Sequence, residues 1–213
     1  MPQTYSKQDL RGQDFSGQDL TGADFSWCNL SNASLAGANL AGANLAGANL
    51  SHANLSRANR SRANLAHADL SRANIAHADL SHANPSRANL QNANLSSANL
   101  VAANLSRSNL RGCNLAGANL YDVNLSRADL PGANLSGANL SGANLSGANV
   151  SGANLSHADL TDTTLTSANF TGAYLDRANR ANEDATASNR WRLVCLADLD
   201  GVAGLDTVQG LSS

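Results

Sequence analysis

The sequence predicts an all-β solenoid, and three features of a five-residue repeat carry this prediction. Every fifth residue from Leu10 to Arg180 is a central position, giving 35 consecutive repeats without insertion or deletion, and 27 of these positions are Leu. The residue two before each centre is Ala in 27 repeats, and the next is Asn in 24 and Asp in 8. The two residues after each centre are mostly small or polar. Such a fixed short period is typical of a repeat architecture.

A period of five fits neither an amphipathic helix, with its spacing of about 3.6, nor an alternating strand. The triplet Ala-Asn-Leu, as in residues 38–40, predicts a very short extended edge with Ala and Leu on one side and Asn on the other. The small or polar pair that follows suits a turn. A chain that turns after each edge must coil, and stacked coils bury Leu in a continuous core that no single repeat could make.

The unbroken register over residues 6–180 resembles the pentapeptide-repeat proteins. The resemblance implies a right-handed quadrilateral β-helix with four repeats per coil, so that residues 20 apart stack on the same face. The 35 repeats then make nearly nine coils. At about 4.8 Å per coil, the rod is roughly 40 Å long.

The C-terminal part of the chain departs from the repeat. Residues 181–189 form a polar linker, and residues 190–213 form a mostly apolar tail in which a short helix from about 189 to 199 is expected. The tail either folds back as a cap on the last coil or joins two chains into a homodimer, an arrangement that some members of the family resemble. The residues expected to make this contact are Trp191, Val194, Leu196 and Leu199.

Two irregular residues occupy central, inward positions. A charge at Arg60 would be costly inside the core, so its side chain is expected to turn outward or to find a polar partner. Pro85 cannot donate a hydrogen bond between coils and is normally excluded from central strands. Together they predict a bend or bulge between about residues 56 and 90. The alternative is drift tolerated by a redundant array.

The second residue after each centre shows a basic run around the waist of the rod. Residues 51–112 carry seven Arg against two Asp, whereas the whole chain has a net charge of −2. We call the following ten residues the basic collar, the last two being added because they stack on the column of His67 and Arg87: His52, Arg57, Arg62, His67, Arg72, His77, His82, Arg87, Arg107 and Arg127. The collar predicts a contact surface for an acidic partner. The alternative is that its charges only keep a Leu-rich rod soluble.

No catalytic, cofactor or metal site is predicted. All five His residues occupy the second outward position, and neighbouring ones lie on different faces, whereas a metal needs converging ligands. Cys28 and Cys113 replace the inward Ala several coils apart, so they should be buried and unable to pair. A regular rod also offers no cleft for a substrate. The sequence therefore indicates a protein that is not an enzyme.

The chain ends and surface aromatics bear on location and ligands. The polar start has no signal-peptide pattern, and the longest apolar run, Leu193 to Ala197, is far too short to span a bilayer. A cytoplasmic protein without membrane contact is expected. Trp27 and Tyr121 look isolated, so no row of outward aromatics is available to stack bases, and direct nucleic-acid binding is not expected.

Two functions remain open from the sequence. The first is a non-catalytic binding or scaffold rod that engages a protein partner. The second is implied by the resemblance: some pentapeptide-repeat proteins bind bacterial type II topoisomerases such as gyrase by imitating duplex DNA, and modulate them or protect them from inhibitors. The width of a coil fits this function, but Asn outnumbers Asp three to one before the centres and the waist is basic. The sequence does not identify the partner.

Overall fold

Backbone pairing between successive coils builds the whole described rod. The computed structural model describes residues 2–178; the predicted linker, helix, and cap or dimer residues Trp191, Val194, Leu196 and Leu199 lie outside this range. Residues 2–178 contain neither an α-helix nor a continuous strand. Isolated parallel bridges instead join residues 20 apart, from Thr4 with Asp24 to Asn154 with Tyr174. Four repeats therefore make one coil, as predicted.

Three backbone hydrogen bonds recur in each repeat and explain why the chain coils. The N–H of a central residue donates to the polar residue of the next coil, as from Leu50 to the Asp69 oxygen at 2.6 Å. The N–H of Asn49 donates in the opposite direction, to the Cys28 oxygen at 2.9 Å. The N–H of Ala53 donates to the Leu50 oxygen at 3.0 Å and closes the turn. The backbone is thus paired both within turns and along the axis, as a buried chain requires.

The core is a narrow stack of Leu and Ala that runs the length of the rod. Every central Leu from Leu20 to Leu175 is at most 2% exposed. Leu10 is only partly buried, because its coil is the first and has no other coil on one side. The prediction that every central Leu is buried is therefore wrong for Leu10. Elsewhere in the described coils the alternation of Ala, polar residue and Leu places side chains as expected.

Asparagine has two structural roles that the repeat pattern did not reveal. Its side-chain oxygen accepts the N–H two residues later, as from Ala116 to Asn114 Oδ1 at 3.2 Å. Its amide nitrogen donates to the equivalent residue one coil earlier, as from Asn114 to Asn94 Oδ1 at 3.2 Å. Aspartate could accept in the first contact but could not donate in the second. This difference explains the dominance of Asn over Asp at this position.

An aromatic cluster closes part of the N-terminal end. Tyr5 occupies a central position and stacks on Phe25, 20 residues later, with ring centroids 4.6 Å apart. Phe15 contacts both rings edge to face. Pairing extends to Thr4, two residues before the predicted start of the repeats. The first coil thus replaces the missing neighbour with aromatic contacts, which stabilise beyond the area that they bury.

The structure contradicts the prediction for Arg60. Its side chain does not turn outward but lies in the core, fully buried between Leu40 and Leu80 of the adjacent coils. None of its three guanidinium nitrogens has a hydrogen-bond partner. Burial lowers the Arg60 pKa to about 9, against an opposing effect of the Asp79 charge. The regular backbone fixes every central residue inward, so this guanidinium stays in a dry core.

The predicted bulge near Pro85 is not found. The 20-residue register continues through this region, with Asn64 paired to Asn84 and Asp69 paired to Asn89. Pro85 is buried at its central position and lacks only the N–H that would donate to the Asn104 oxygen. One lost hydrogen bond is a local defect, because the flanking repeats retain theirs.

The two described cysteines are buried and unpaired, as predicted. The Cys28 thiol donates to the Tyr5 oxygen at 2.8 Å, and the Cys113 thiol donates to the Leu90 oxygen at 2.7 Å. Burial raises the pKa of both, that of Cys113 to about 12. These thiols act as small core groups, since the reactive thiolate is disfavoured.

Candidate binding face

The basic collar occupies turn positions with an unusual backbone conformation. All ten collar residues are exposed and have φ between 56° and 61°. Glycine takes 14 of the 35 equivalent positions in the described chain, since it adopts positive φ without steric cost. For other residues this conformation costs roughly 1 kcal/mol. The collar therefore places long basic side chains where glycine would be less strained.

Stacking sorts the collar into four columns, as the 20-residue spacing predicts. The N–H of each collar residue donates to the next coil directly beside the following collar position, as from His52 to the Ser71 oxygen at 2.9 Å. His52 and Arg72 line one surface depression together with Asp69. That column ends in Asn92 and Gly112, so its basic character stops after two coils.

One column stays basic over four coils and differs from the other three. We call His67, Arg87, Arg107 and Arg127 the basic column. Its side chains and four flanking serines line a surface depression of about 750 Å³, the serines being Ser86, Ser106, Ser126 and Ser146. No acidic side chain lines this depression.

The guanidinium groups of the basic column have no acidic partner among residues 2–178. The ion pairs in that range join Arg11 to Asp9 at 2.7 Å and Arg111 to Asp129 at 3.0 Å. A row of unpaired cations flanked by hydroxyl donors is chemically suited to carboxylate or phosphate, which Arg binds through two parallel hydrogen bonds.

Trp27 lies on the same face, which the sequence interpretation missed. It occupies the turn position 40 residues, or two coils, before His67, with Gly47 between them. Its side chain is 64% exposed. A Cβ built on Gly47 would be 2.5 Å from the Trp27 ring, so the ring covers this glycine. Counting in steps of 20 would have placed Trp27 here, whereas it looked isolated when only neighbouring repeats were compared.

The side chains of this face lean along the rod axis toward the next coil. At the other end of the face, a Cβ on Gly147 would lie 3.5 Å from Arg127 Cγ. The glycines that follow Trp27 and Arg127 thus leave room for the side chains stacked over them. We call Trp27 and the basic column together the binding face. The other exposed large aromatics, Tyr121 and Tyr174, lie outside this column.

Other kinds of site were sought in the same range. Between residues 2 and 178, no three His, Cys, Asp or Glu side chains group closely enough to hold a metal ion. That range also lacks any helix long and apolar enough to cross a membrane.

Comparisons with known proteins identify the family. The pentapeptide repeat family matches with eight copies, over residues 6–35, 33–72, 68–107, 103–142 and 143–179. The chain therefore belongs to the pentapeptide repeat proteins. These proteins fold as right-handed quadrilateral β-helices, in agreement with the four-repeat coils and the lack of helix in residues 2–178.

Solved structures of the same family are similar to this chain. HetL, involved in heterocyst differentiation regulation in the cyanobacterium Nostoc, is 36% identical with a TM-score of 0.56, over 83% of this chain and 82% of its own. QnrB1, a plasmid-mediated fluoroquinolone resistance protein, is 21% identical with a TM-score of 0.56, over 98% of this chain and 92% of its own. At that identity QnrB1 supports the fold alone. No curated protein sequence matches the chain.

Proposed function

We propose that the protein is a non-catalytic rod that holds an acidic protein partner on the binding face. Pentapeptide repeat proteins are typically non-catalytic scaffolds. The observation that carries the proposal is the basic column, four exposed cations in a row without an acidic partner in the described chain. Arg and Trp are also the residue types that most often dominate protein interfaces.

The backbone conformation supports binding over solubility as the role of this column. A rod can be kept soluble by charges at any exposed position, including those with ordinary backbone angles. The column instead uses positions with φ of 57° to 61°, where each side chain is less favourable than glycine. Only at these positions do side chains stack in line along one face.

Two matched triple variants test this proposal. The first replaces Arg87, Arg107 and Arg127 with Gly. The control replaces the collar residues Arg57, Arg62 and Arg72 with Gly, which removes the same charge from the same kind of turn on other faces. Both should hold or raise the melting temperature, since Gly adopts positive φ freely.

The measurement is capture of proteins from a bacterial lysate by the immobilised rod, quantified by mass spectrometry. The column variant should lose acidic partners that the wild type and the control retain, and the wild-type capture should weaken with added salt. Equal capture by both variants would leave the basic column with no binding role.

The alternative function is a DNA mimic that binds a bacterial type II topoisomerase. The rod shape shared with QnrB1 supports it at the level of fold only. The basic face opposes it, because a duplex mimic should be acidic. A gyrase supercoiling assay separates the two functions. If the wild type inhibits or protects gyrase, and the column variant does so more strongly, the DNA mimic is the better description.

A further inference from the structure

We propose that the partner segment on the binding face is an α-helix with a stripe of acidic residues and one large apolar residue. This inference depends on the proposed function, since it names the shape of the acidic partner. It is argued from the spacing of the basic column, from the place of Trp27 and from the side chain missing between them.

The basic column has a fixed axial spacing. Its four residues are related by 20 residues and therefore rise by one coil each, about 4.8 Å. The backbone bonds that set this spacing are uniform along the column, from 2.9 Å at Arg127 to 3.1 Å at His67. The four cations thus lie at about 0, 4.8, 9.6 and 14.4 Å along one face.

A helix matches this spacing and an extended strand does not. Acidic residues at i, i+3, i+7 and i+10 of an α-helix lie at about 0, 4.5, 10.5 and 15 Å, so each carboxylate meets one cation. Same-side residues of a strand are about 6.7 Å apart, so a strand offers only three carboxylates over that length. A helix therefore pairs every charge without bending.

Trp27 extends the match beyond the charges. It lies two coils before His67, about 9.6 Å along the axis, which is close to the 10.5 Å spanned by seven helical residues. An apolar residue seven positions before the first acid would thus face the Trp27 ring and stay on the acidic stripe. Gly47 has no side chain, so nothing separates the helix from the rod between the two contacts.

Nucleic acid fits this face less well. Proteins that bind single strands place aromatic side chains among the charges, where successive bases stack. Here the aromatic residue stands at one end, and serines separate the cations. The arrangement favours a partner with separate apolar and acidic contacts.

Synthetic peptides test the shape of the partner. The first peptide has Leu at position 1, Glu at positions 8, 11, 15 and 18, and helix-forming Ala and Gln elsewhere. The second has the same composition with the four Glu at alternate positions. A fluorescein-labelled oligo-dT is the nucleic-acid probe. Binding to the full-length protein is followed by fluorescence anisotropy at low salt, and helix formation by far-UV circular dichroism.

We expect the first peptide to bind at least about tenfold tighter than the second and to gain helix on binding. The variant with Arg87, Arg107 and Arg127 changed to Gly should weaken it by about tenfold or more, while the control with Arg57, Arg62 and Arg72 changed should not. Trp27→Ala should weaken the first peptide several-fold. Replacing the peptide Leu by Ala should then have no further effect on that variant, which would identify Trp27 as its contact.

Each other outcome overturns a defined part of the reasoning. Equal binding of both peptides, or binding of neither while lysate capture still depends on the basic column, would refute the helix and leave the proposed function standing. Tighter binding of oligo-dT would make the partner class wrong. Binding of neither peptide together with capture that ignores the column would refute both.

Discussion

Replacing the buried guanidinium of Arg60 with Leu should stabilise the rod strongly. Arg60 is fully buried, and its side chain lies in line with Leu40 and Leu80. Its pKa falls from 12.5 to about 9, chiefly because burial disfavours the charged form. At about 1.4 kcal/mol per unit, this shift corresponds to about 5 kcal/mol of destabilisation at neutral pH. Leu in the same column removes both the charge and the unpaired donors, so Arg60→Leu should gain a large part of that amount.

The alkaline pH dependence of the same variant has a definite sign. Between pH 9 and 12.5 the unfolded chain holds the Arg60 proton more tightly than the folded chain, so raising the pH stabilises the fold there. The penalty is fully present below pH 9 and is relieved as the pH rises above it. The advantage of Arg60→Leu over the wild type should therefore shrink at alkaline pH.

Equilibrium unfolding in guanidinium chloride, followed by circular dichroism, measures both effects through the transition midpoint. Leu100→Arg is the matched control, since Leu100 belongs to the same column and is fully buried. It should destabilise the rod by an amount similar to the gain at Arg60. If Arg60→Leu leaves the midpoint unchanged or lowers it, the guanidinium reaches water or a partner in solution, and the reasoning fails.

Three further outcomes follow from the coil. Leu140→Asp should unfold the neighbouring coils, because it puts an unpaired carboxylate into a dry core, and loss of the cooperative transition would show it; retention of wild-type stability would contradict this. Gly47→Ala should lower stability more than Gly37→Ala, since both have positive φ but only Gly47 lies under Trp27; equal effects in thermal unfolding would exclude a role for the ring. Hydrogen bonds from Thr21 lower the Asp19 pKa, so its stabilisation is present above about pH 3.8 and is lost as pH falls through the lower folded value; Asp19→Asn should flatten acid unfolding, and an unchanged acid limb would refute this.

The sequence predicted the core and the register because both depend on backbone periodicity alone. Leu at every fifth position and coils of 20 residues leave no other way to bury the apolar side chains. Arg60 defeated the same reasoning. A charge was expected to leave the core, but pairing on both sides fixes its backbone inward, and the Leu above and below close the exit. Pro85 was also judged too disruptive, because only one hydrogen bond depends on its N–H.

The binding face was only half visible in the sequence. The basic run was plain because its members occupy consecutive repeats. Trp27 and Arg127 belong to the same face although 100 residues separate them in the chain. The ladder of Asn114 with Asn94 was missed for a related reason, since alternation shows which way a side chain points but not what it meets. The cap or dimer role of residues 190–213 stays a prediction.

The coil of four repeats ties the length of the chain to the direction in which each side chain points. Adding or removing 20 residues would lengthen or shorten the rod and leave every face in phase. Removing a single repeat between Arg87 and Arg107 would instead rotate everything after it by a quarter turn. Arg107 and Arg127 would then move to the neighbouring face while composition and charge stayed almost the same. Surfaces on such a rod can thus be assembled or dispersed by changes in repeat number alone, without altering any residue that contacts the partner.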